Sequence, residues 1–159
     1  MAISKRLETI ADLVTPGYRA SDIGTDHGYV PIYLLRNHIC DHVIAADISR
    51  GSLEKAIQNV ERAGLSEQIE CRLSDGLSSI RPGETDSIII SGMGGILMDR
   101  ILRAHPEVVK EAKELVLSPH RNPELITSFA EEFGFAVVYH EVLLDKKKYY
   151  HIFKLTVQE

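Results

Sequence analysis

The sequence contains no tryptophan, only two cysteines and few aromatic residues, which make up 6% of its 159 positions. Cys40 and Cys71 stand alone, in neither a CxxC pair nor a zinc-like cluster, so we expect buried thiols in a reducing compartment. No apolar run approaches the length of a membrane span. The amphipathic start MAISKRLETIADLV carries two acids, unlike a signal peptide. These absences predict a cytoplasmic protein without a membrane partner.

The length and the balance of residue types are those of one ordinary globular domain, which we assign to residues 1–159. Nothing resembles a repeat, a linker or a low-complexity tract. The formal net charge of -5 argues mildly against a nucleic-acid partner, because such partners are usually held by Lys and Arg at their phosphates. A local basic face remains open, with candidates at Lys5–Arg6, Arg121 and Lys146–Lys148.

Short runs rich in Ile, Val and Ala alternate with stretches of helical periodicity, which predicts an α/β fold with helices on both faces of a mostly parallel sheet. The segment LLDKKKYYHIFKL predicts a closing antiparallel hairpin, and with it a class I Rossmann-like methyltransferase topology. Its lysine run is either a solubilising tip or a contact for an RNA backbone. We expect seven strands, at 18–23, 42–47, 69–73, 87–91, 114–117, 136–144 and 149–156, and five helices, at 4–14, 30–37, 51–63, 96–104 and 123–132.

The turn after the first strand reads Asp22-Ile-Gly24-Thr-Asp26-His-Gly28, at the strand end where such folds bind ligands. The two glycines are spaced GxxxG rather than GxGxxG, and an acid stands between them. That acid repels a pyrophosphate and suits a cofactor with a positive sulfonium and an ammonium group. A glycine turn with a capping Asp and no ligand is the alternative.

Three further strand ends carry candidate ligand contacts. Asp47 lies nineteen positions after Gly28, close to the spacing of a carboxylate that binds ribose hydroxyls, or else it caps the next helix. Asp75-Gly76 either meets an adenine amine or is a common turn. Gly92-Met93-Gly94-Gly95 leaves room for a flat ring, unless it is a plain loop of small residues.

The Asn/Asp-Pro-Pro-aromatic pattern of exocyclic amino methyltransferases is missing, which disfavours an amine target and leaves ring nitrogen or oxygen open. The seven histidines predict no metal site, since only His38 and His42 are four apart and they flank a loop. His27 and His120 follow strands, where each can touch a substrate, although lone histidines are more often structural.

The segments SKRLETIADLV, DIGTDHGYVPIYLL, SGMGGILMDRIL and LVLSPHRNPELI together resemble the bacterial tRNA (adenine-22-N1)-methyltransferase family over nearly the whole sequence. Two departures stand out. Many members have Gln at the position of His120, and most continue into a C-terminal helical domain that this sequence lacks. We therefore expect a tRNA partner that is bound weakly without that domain. We also expect no metal, and a monomer or weak homodimer.

The resemblance implies S-adenosyl-L-methionine (AdoMet) as methyl donor and a tRNA adenine as acceptor. It implies Asp26 as the catalytic carboxylate, acting on the adenine or only positioning it, and Tyr29 as a ring that stacks on the base. The predicted cofactor contacts are Asp22, Ile23, Gly24, Thr25, Gly28, Asp47, Ile48, Asp75, Gly76 and Gly92. The predicted substrate contacts are Arg6, His27, Met93, Pro119, His120 and Arg121.

Three other functions stay open on the sequence alone. One is a methyltransferase for a small molecule or a protein, and another is a module that binds AdoMet without turnover. A nicotinamide-dependent oxidoreductase ranks lowest, because GxGxxG is absent and an acid occupies the glycine turn.

Overall fold

The computed structural model describes residues 3–158 as seven strands and six helices around one mixed sheet. The strands lie in the order β3-β2-β1-β4-β5-β7-β6, and only β7 runs against the other six. The elements are α1 (Lys5–Asp12), β1 (Ala20–Ile23), α2 (Tyr29–Arg36), β2 (Val43–Asp47), α3 (Arg50–Arg62), β3 (Ile69–Leu73), β4 (Ser87–Met93), α4 (Gly95–Ala104), α5 (Pro106–Glu111), β5 (Glu114–Pro119), α6 (Glu124–Phe133), β6 (Phe135–Asp145) and β7 (Lys148–Val157).

Two apolar layers cover the two faces of the sheet. Every residue of β1, β2 and β5 is buried, as expected of strands covered on both faces. One layer packs α1, α2 and α3 against the sheet, and the other packs α4, α5 and α6. The predicted fold class, with seven strands, an antiparallel C-terminal hairpin and helices on both faces, is confirmed.

Local signals set several helix ends. The Ser49 hydroxyl accepts the backbone N–H of Ser52 and caps α3, and Gly64 follows that helix in the left-handed region with φ of +72°. The sixth helix begins directly after Pro123, one residue later than predicted. Among residues 3–158 no helix is both long and apolar enough to cross a bilayer.

Two predicted boundaries were wrong in a way that shapes the site. Strands β4 and β5 each run two residues beyond their predicted ends, so that Met93 pairs with Pro119 across the sheet. A bulge at Gly92, whose φ is +77°, makes this last pair possible by shifting the register after Ser91. The short helix α5 was also missed.

Candidate cofactor and acceptor site

The loop after β1 is held tightly against the neighbouring strand. The backbone N–H groups of Gly24 and Thr25 both donate to the carbonyl oxygen of Ala46, each at 2.9 Å. Gly24 and Gly28 have φ near +77°, and Asp26 shares this left-handed conformation with φ of +57°. The loop is therefore a preformed turn.

Three carboxylates meet in this turn. Asp22 is 3% exposed and accepts a 2.9 Å hydrogen bond from the Thr25 hydroxyl. Burial raises the pKa of Asp22 to about 7; the Thr25 hydrogen bond acts against this, and the charges of Asp47 and Asp26 add to the rise. A ligand that brings positive charge to this turn would relieve the repulsion among the three groups.

Asp47 is engaged by the backbone on both sides. One carboxylate oxygen accepts the N–H of Asp26 at 2.9 Å, and the other accepts the N–H of Ser49 at 3.0 Å. Because Ser49 itself caps α3, Asp47 is not the helix cap. Each carboxylate oxygen retains a second lone pair, so Asp47 can still accept hydroxyl groups at the sheet edge.

An apolar groove lies on one side of the turn, beyond the ends of β2 and β3. Ile48 is 65% exposed at its rim, and its floor is close to Gly76, where an added Cβ would lie 3.1 Å from the Ile101 side chain. Such a flat, apolar wall suits a planar ring. The groove has an empty volume of about 400 Å³ and is lined by Ile23, Gly24, Ile48, Ser74, Asp75, Gly76, Met93, Leu97 and Ile101.

A second cavity, the loop pocket, opens between the glycine turn and α1. An Asp26 carboxylate oxygen lies 3.0 Å from His27 Nδ1, and the His27 ring stacks on Tyr29 with centroids 5.2 Å apart. The Asp26 side chain is 65% exposed, so it is available to a ligand. The pocket is lined by Arg6, Leu7, Asp22, Gly24, Thr25, Asp26, His27, Tyr29, Val30, Ser91 and Gly92.

A third and wider cavity, the hairpin groove, begins where the loop pocket ends at Gly92. Its empty volume of about 1320 Å³ is more than three times that of the apolar groove. The ring of His120 meets Tyr150 edge to face, and the Arg6 guanidinium lies 4.6 Å from the centroid of that tyrosine ring. Its lining is Gly92, Met93, Gly94, Leu97, His120, Arg121, Lys148, Tyr149 and Tyr150.

Desolvation lowers the pKa of His120, and so does the nearby positive charge of Arg6. The imidazole is therefore biased towards its neutral form at neutral pH, in which one ring nitrogen donates and the other accepts hydrogen bonds. Its backbone N–H donates to the carbonyl oxygen of Met93 at 3.0 Å, which ties the end of β5 to the end of β4.

The three cavities collect most of the residues that the sequence singled out. Of the predicted contacts, Gly28, Asp47 and Pro119 line none of the three cavities, and Pro119 is buried within β5. Of the proposed basic face, Lys5, Lys146 and Lys147 line none of them either. The sequence missed Leu97, Tyr149 and Tyr150 as groove residues. For Tyr149 and Tyr150 a signal was available, since two adjacent tyrosines directly follow the lysine run in the sequence.

Comparison with known proteins agrees with this geometry. A family model described as a methyltransferase domain matches residues 3–153, so the fold and the site define a methyltransferase domain. The tRNA (adenine(22)-N(1))-methyltransferase of Bacillus subtilis is 35% identical over 152 residues, which are 96% of this chain and 64% of that protein. This chain thus spans somewhat less than two thirds of that curated relative.

Solved structures narrow the family further. A Streptococcus pneumoniae protein, assigned as a tRNA (m1A22) methyltransferase and solved in complex with S-adenosyl-L-methionine, matches with a TM-score of 0.95 and 33% identity, over 99% of this chain and 74% of that one. The Bacillus subtilis m1A22 tRNA methyltransferase matches with a TM-score of 0.94 and 33% identity, over 99% and 68%. The chain belongs to the tRNA (adenine-22-N1)-methyltransferase family, as its sequence motifs predicted.

Proposed function

We propose that this chain binds AdoMet and transfers its methyl group to N1 of adenine 22 in tRNA. The observation that supports this most directly is the junction at Gly92, where a carboxylate-rich loop pocket meets a wide aromatic and basic groove. A cationic donor in the first and a nucleotide in the second would bring their reacting atoms together at this junction. The predicted monomer or weak homodimer stays a prediction.

The apolar groove and the loop pocket fit the two ends of AdoMet. In this arrangement Asp22 accepts the ammonium group, and Asp47 accepts the ribose hydroxyls. The adenine ring lies against Gly76, whose missing Cβ leaves the ring its space beside Ile101. When bound, AdoMet supplies an activated methyl group on a positive sulfonium, so the protein need not generate an electrophile.

On the acceptor side, residues of the chain bind the base and stabilise the positive charge that it gains. The extruded adenine reaches from the hairpin groove past Gly92 to the edge of the loop pocket, where Tyr29, stacked on His27, offers a ring. The exposed Asp26 carboxylate lines the same pocket. The N1 lone pair forms the new bond to the methyl carbon, the S–CH₃ bond breaks, and its electron pair stays on sulfur. The methylated adenine becomes cationic, and the Asp26 carboxylate stabilises that charge or accepts a proton from the exocyclic amine.

The decisive assay is methyl transfer from labelled AdoMet to unmodified tRNA that carries A22, followed by nucleoside mass spectrometry. We expect N1-methyladenosine, and we expect it to vanish with a transcript that has G22. AdoMet binding measured by calorimetry on the same sample separates the two halves of the proposal. Binding without any methylated adenosine would refute the tRNA function and leave a different acceptor or a binding module.

Asp22 gives this proposal a pH signature. Since the folded protein holds its pKa near 7, AdoMet affinity should increase as the pH rises from about 5.5 to 7 and Asp22 ionises. We expect Asp22→Asn to bind AdoMet more weakly and without this pH dependence. Calorimetric titration at several pH values, kept below the range where the cofactor amine titrates, measures both effects.

The raised pKa of Asp22 has the opposite effect on the stability of the ligand-free protein. An Asp with a raised folded pKa binds more protons folded than unfolded, so stability falls as the pH rises from about 4 to 7. We therefore expect Asp22→Asn to raise the free energy of unfolding at pH 8 by about 2–4 kcal/mol and to change it little at pH 4. Asp75→Asn, an exposed carboxylate at the apolar groove, is the matched control. A difference in unfolding free energy between the variant and the wild type that is the same at pH 4 and at pH 8 would contradict the assignment.

A further inference from the structure

The turn between β6 and β7 has an unfavourable sequence for its shape. Asp145 pairs with Lys148, which leaves Lys146 and Lys147 as a two-residue loop. Their φ values are +49° and +66°, the left-handed conformation that a type I′ turn requires at both positions. Asn-Gly is the favoured pair there, and an unbranched charged side chain at both positions costs stability.

None of the three turn lysines has an intramolecular partner that would explain its presence. Within residues 3–158, no carboxylate lies in ion-pair distance of the ammonium groups of Lys146, Lys147 or Lys148, and no hydrogen bond from them is formed. All three residues are exposed. They concentrate positive charge in a chain with 23 acids and 18 Lys and Arg residues.

The position of this lysine turn, residues Lys146–Lys148, points to its partner. Lys148 lines the hairpin groove together with a second cation, Arg121. Tyr149, the next residue, is 69% exposed and lies in the same groove. Positive side chains together with an exposed aromatic ring are the elements that hold the backbone and bases of unpaired nucleic acid.

We propose that the lysine turn binds the tRNA backbone next to the nucleotide that enters the hairpin groove. Lys146 and Lys147 contact phosphates, and the unfavourable turn conformation is kept because the contacts need two ammonium groups at this point. This inference rests on the proposed tRNA function and assigns that function a docking surface.

The test replaces the turn by its most favourable sequence, in the double variant Lys146→Asn/Lys147→Gly. We expect a melting temperature that is equal or higher, because the new residues suit the left-handed positions. We expect tRNA affinity at 150 mM salt to fall by about fivefold or more, and the slope of log K against log salt to shrink by about 1.4 to 1.8 for two lost contacts. AdoMet affinity should be unchanged. The matched control, Lys55→Gln/Lys110→Gln, removes the same charge from exposed positions on α3 and α5.

The possible outcomes distinguish a failure of this inference from a failure of the proposed tRNA methylation. Unchanged tRNA affinity and salt slope in the turn variant would overturn the inference, and so would an equal loss in the control, which would reveal an effect of net charge alone. Wild-type protein that binds tRNA through the turn but methylates another position would leave the inference standing without the A22 assignment. Wild-type protein that binds AdoMet but not tRNA would overturn both.

Discussion

Replacing Asp26 with asparagine is expected to lower kcat for tRNA methylation by about a hundredfold or more. AdoMet affinity should fall much less, because Asp22 and Asp47 keep their place beside the donor. Asparagine tolerates the left-handed backbone that Asp26 adopts at φ +57°. The backbone N–H that Asp47 accepts is also retained, so the glycine turn keeps its shape. The substitution removes only the negative charge that faces the acceptor.

Single-turnover methylation with saturating AdoMet measures this effect, and calorimetry measures cofactor affinity on the same variant. Asp41→Asn, which removes an exposed carboxylate from the loop before β2, outside all three cavities, is the matched control and should retain most of the activity. If Asp26→Asn raised KM for tRNA at unchanged kcat, the carboxylate would position the adenine rather than stabilise its charge. Loss of AdoMet binding would mean that Asp26 serves mainly to bind the cofactor.

The fold was predictable from sequence because its central strands carry an unambiguous pattern. The buried strand β2 is a short apolar run that ends in Asp47, and β1 is followed directly by Gly24. The parallel strands end at the same sheet edge. The short helix α5 was missed because its six residues, PEVVKE, are too few to show helical periodicity. The extension of β4 was missed because Gly92 reads as a turn, whereas in the structure it forms a bulge within the strand.

The loop pocket was predictable for the same reason, but the hairpin groove was not. The turn residues Asp22 to Gly28 are contiguous, so their sequence alone brings them together. The groove depends instead on β7 lying between β5 and β6, which places Tyr150 against His120 although the two are thirty residues apart in sequence. The hairpin was predicted, but the tyrosines that it brings to the groove were not, because they come from a strand distant in sequence from β5. The raised pKa of Asp22 likewise comes from burial, which the sequence does not show.

Gly95→Ala is expected to destabilise the fold by about 3 kcal/mol, whereas Gly94→Ala one residue earlier should be nearly neutral. A Cβ at Gly95 would lie 2.4 Å from the carbonyl oxygen of Asn122 and 2.8 Å from that of Arg121, both backbone atoms that cannot turn aside. The Gly95 N–H also donates to the Arg121 carbonyl at 2.8 Å. Gly94 has an ordinary φ of -76° and nothing within 4 Å of an added Cβ.

This contrast divides the three glycines of the segment 92–95 by their physical role. The sequence allowed all three to make room for a ring, but the space beside Gly95 is filled by the loop that carries Arg121 into the hairpin groove. Thermal and urea unfolding of both variants, with wild-type protein alongside, measures the stability difference. If the Gly95→Ala variant stays folded at low temperature, its tRNA methylation should fall further than its AdoMet binding, because the displaced loop lines the acceptor side. Equal stability of the two variants would mean that α4 and this loop can separate at little cost, and the groove would then not be preformed.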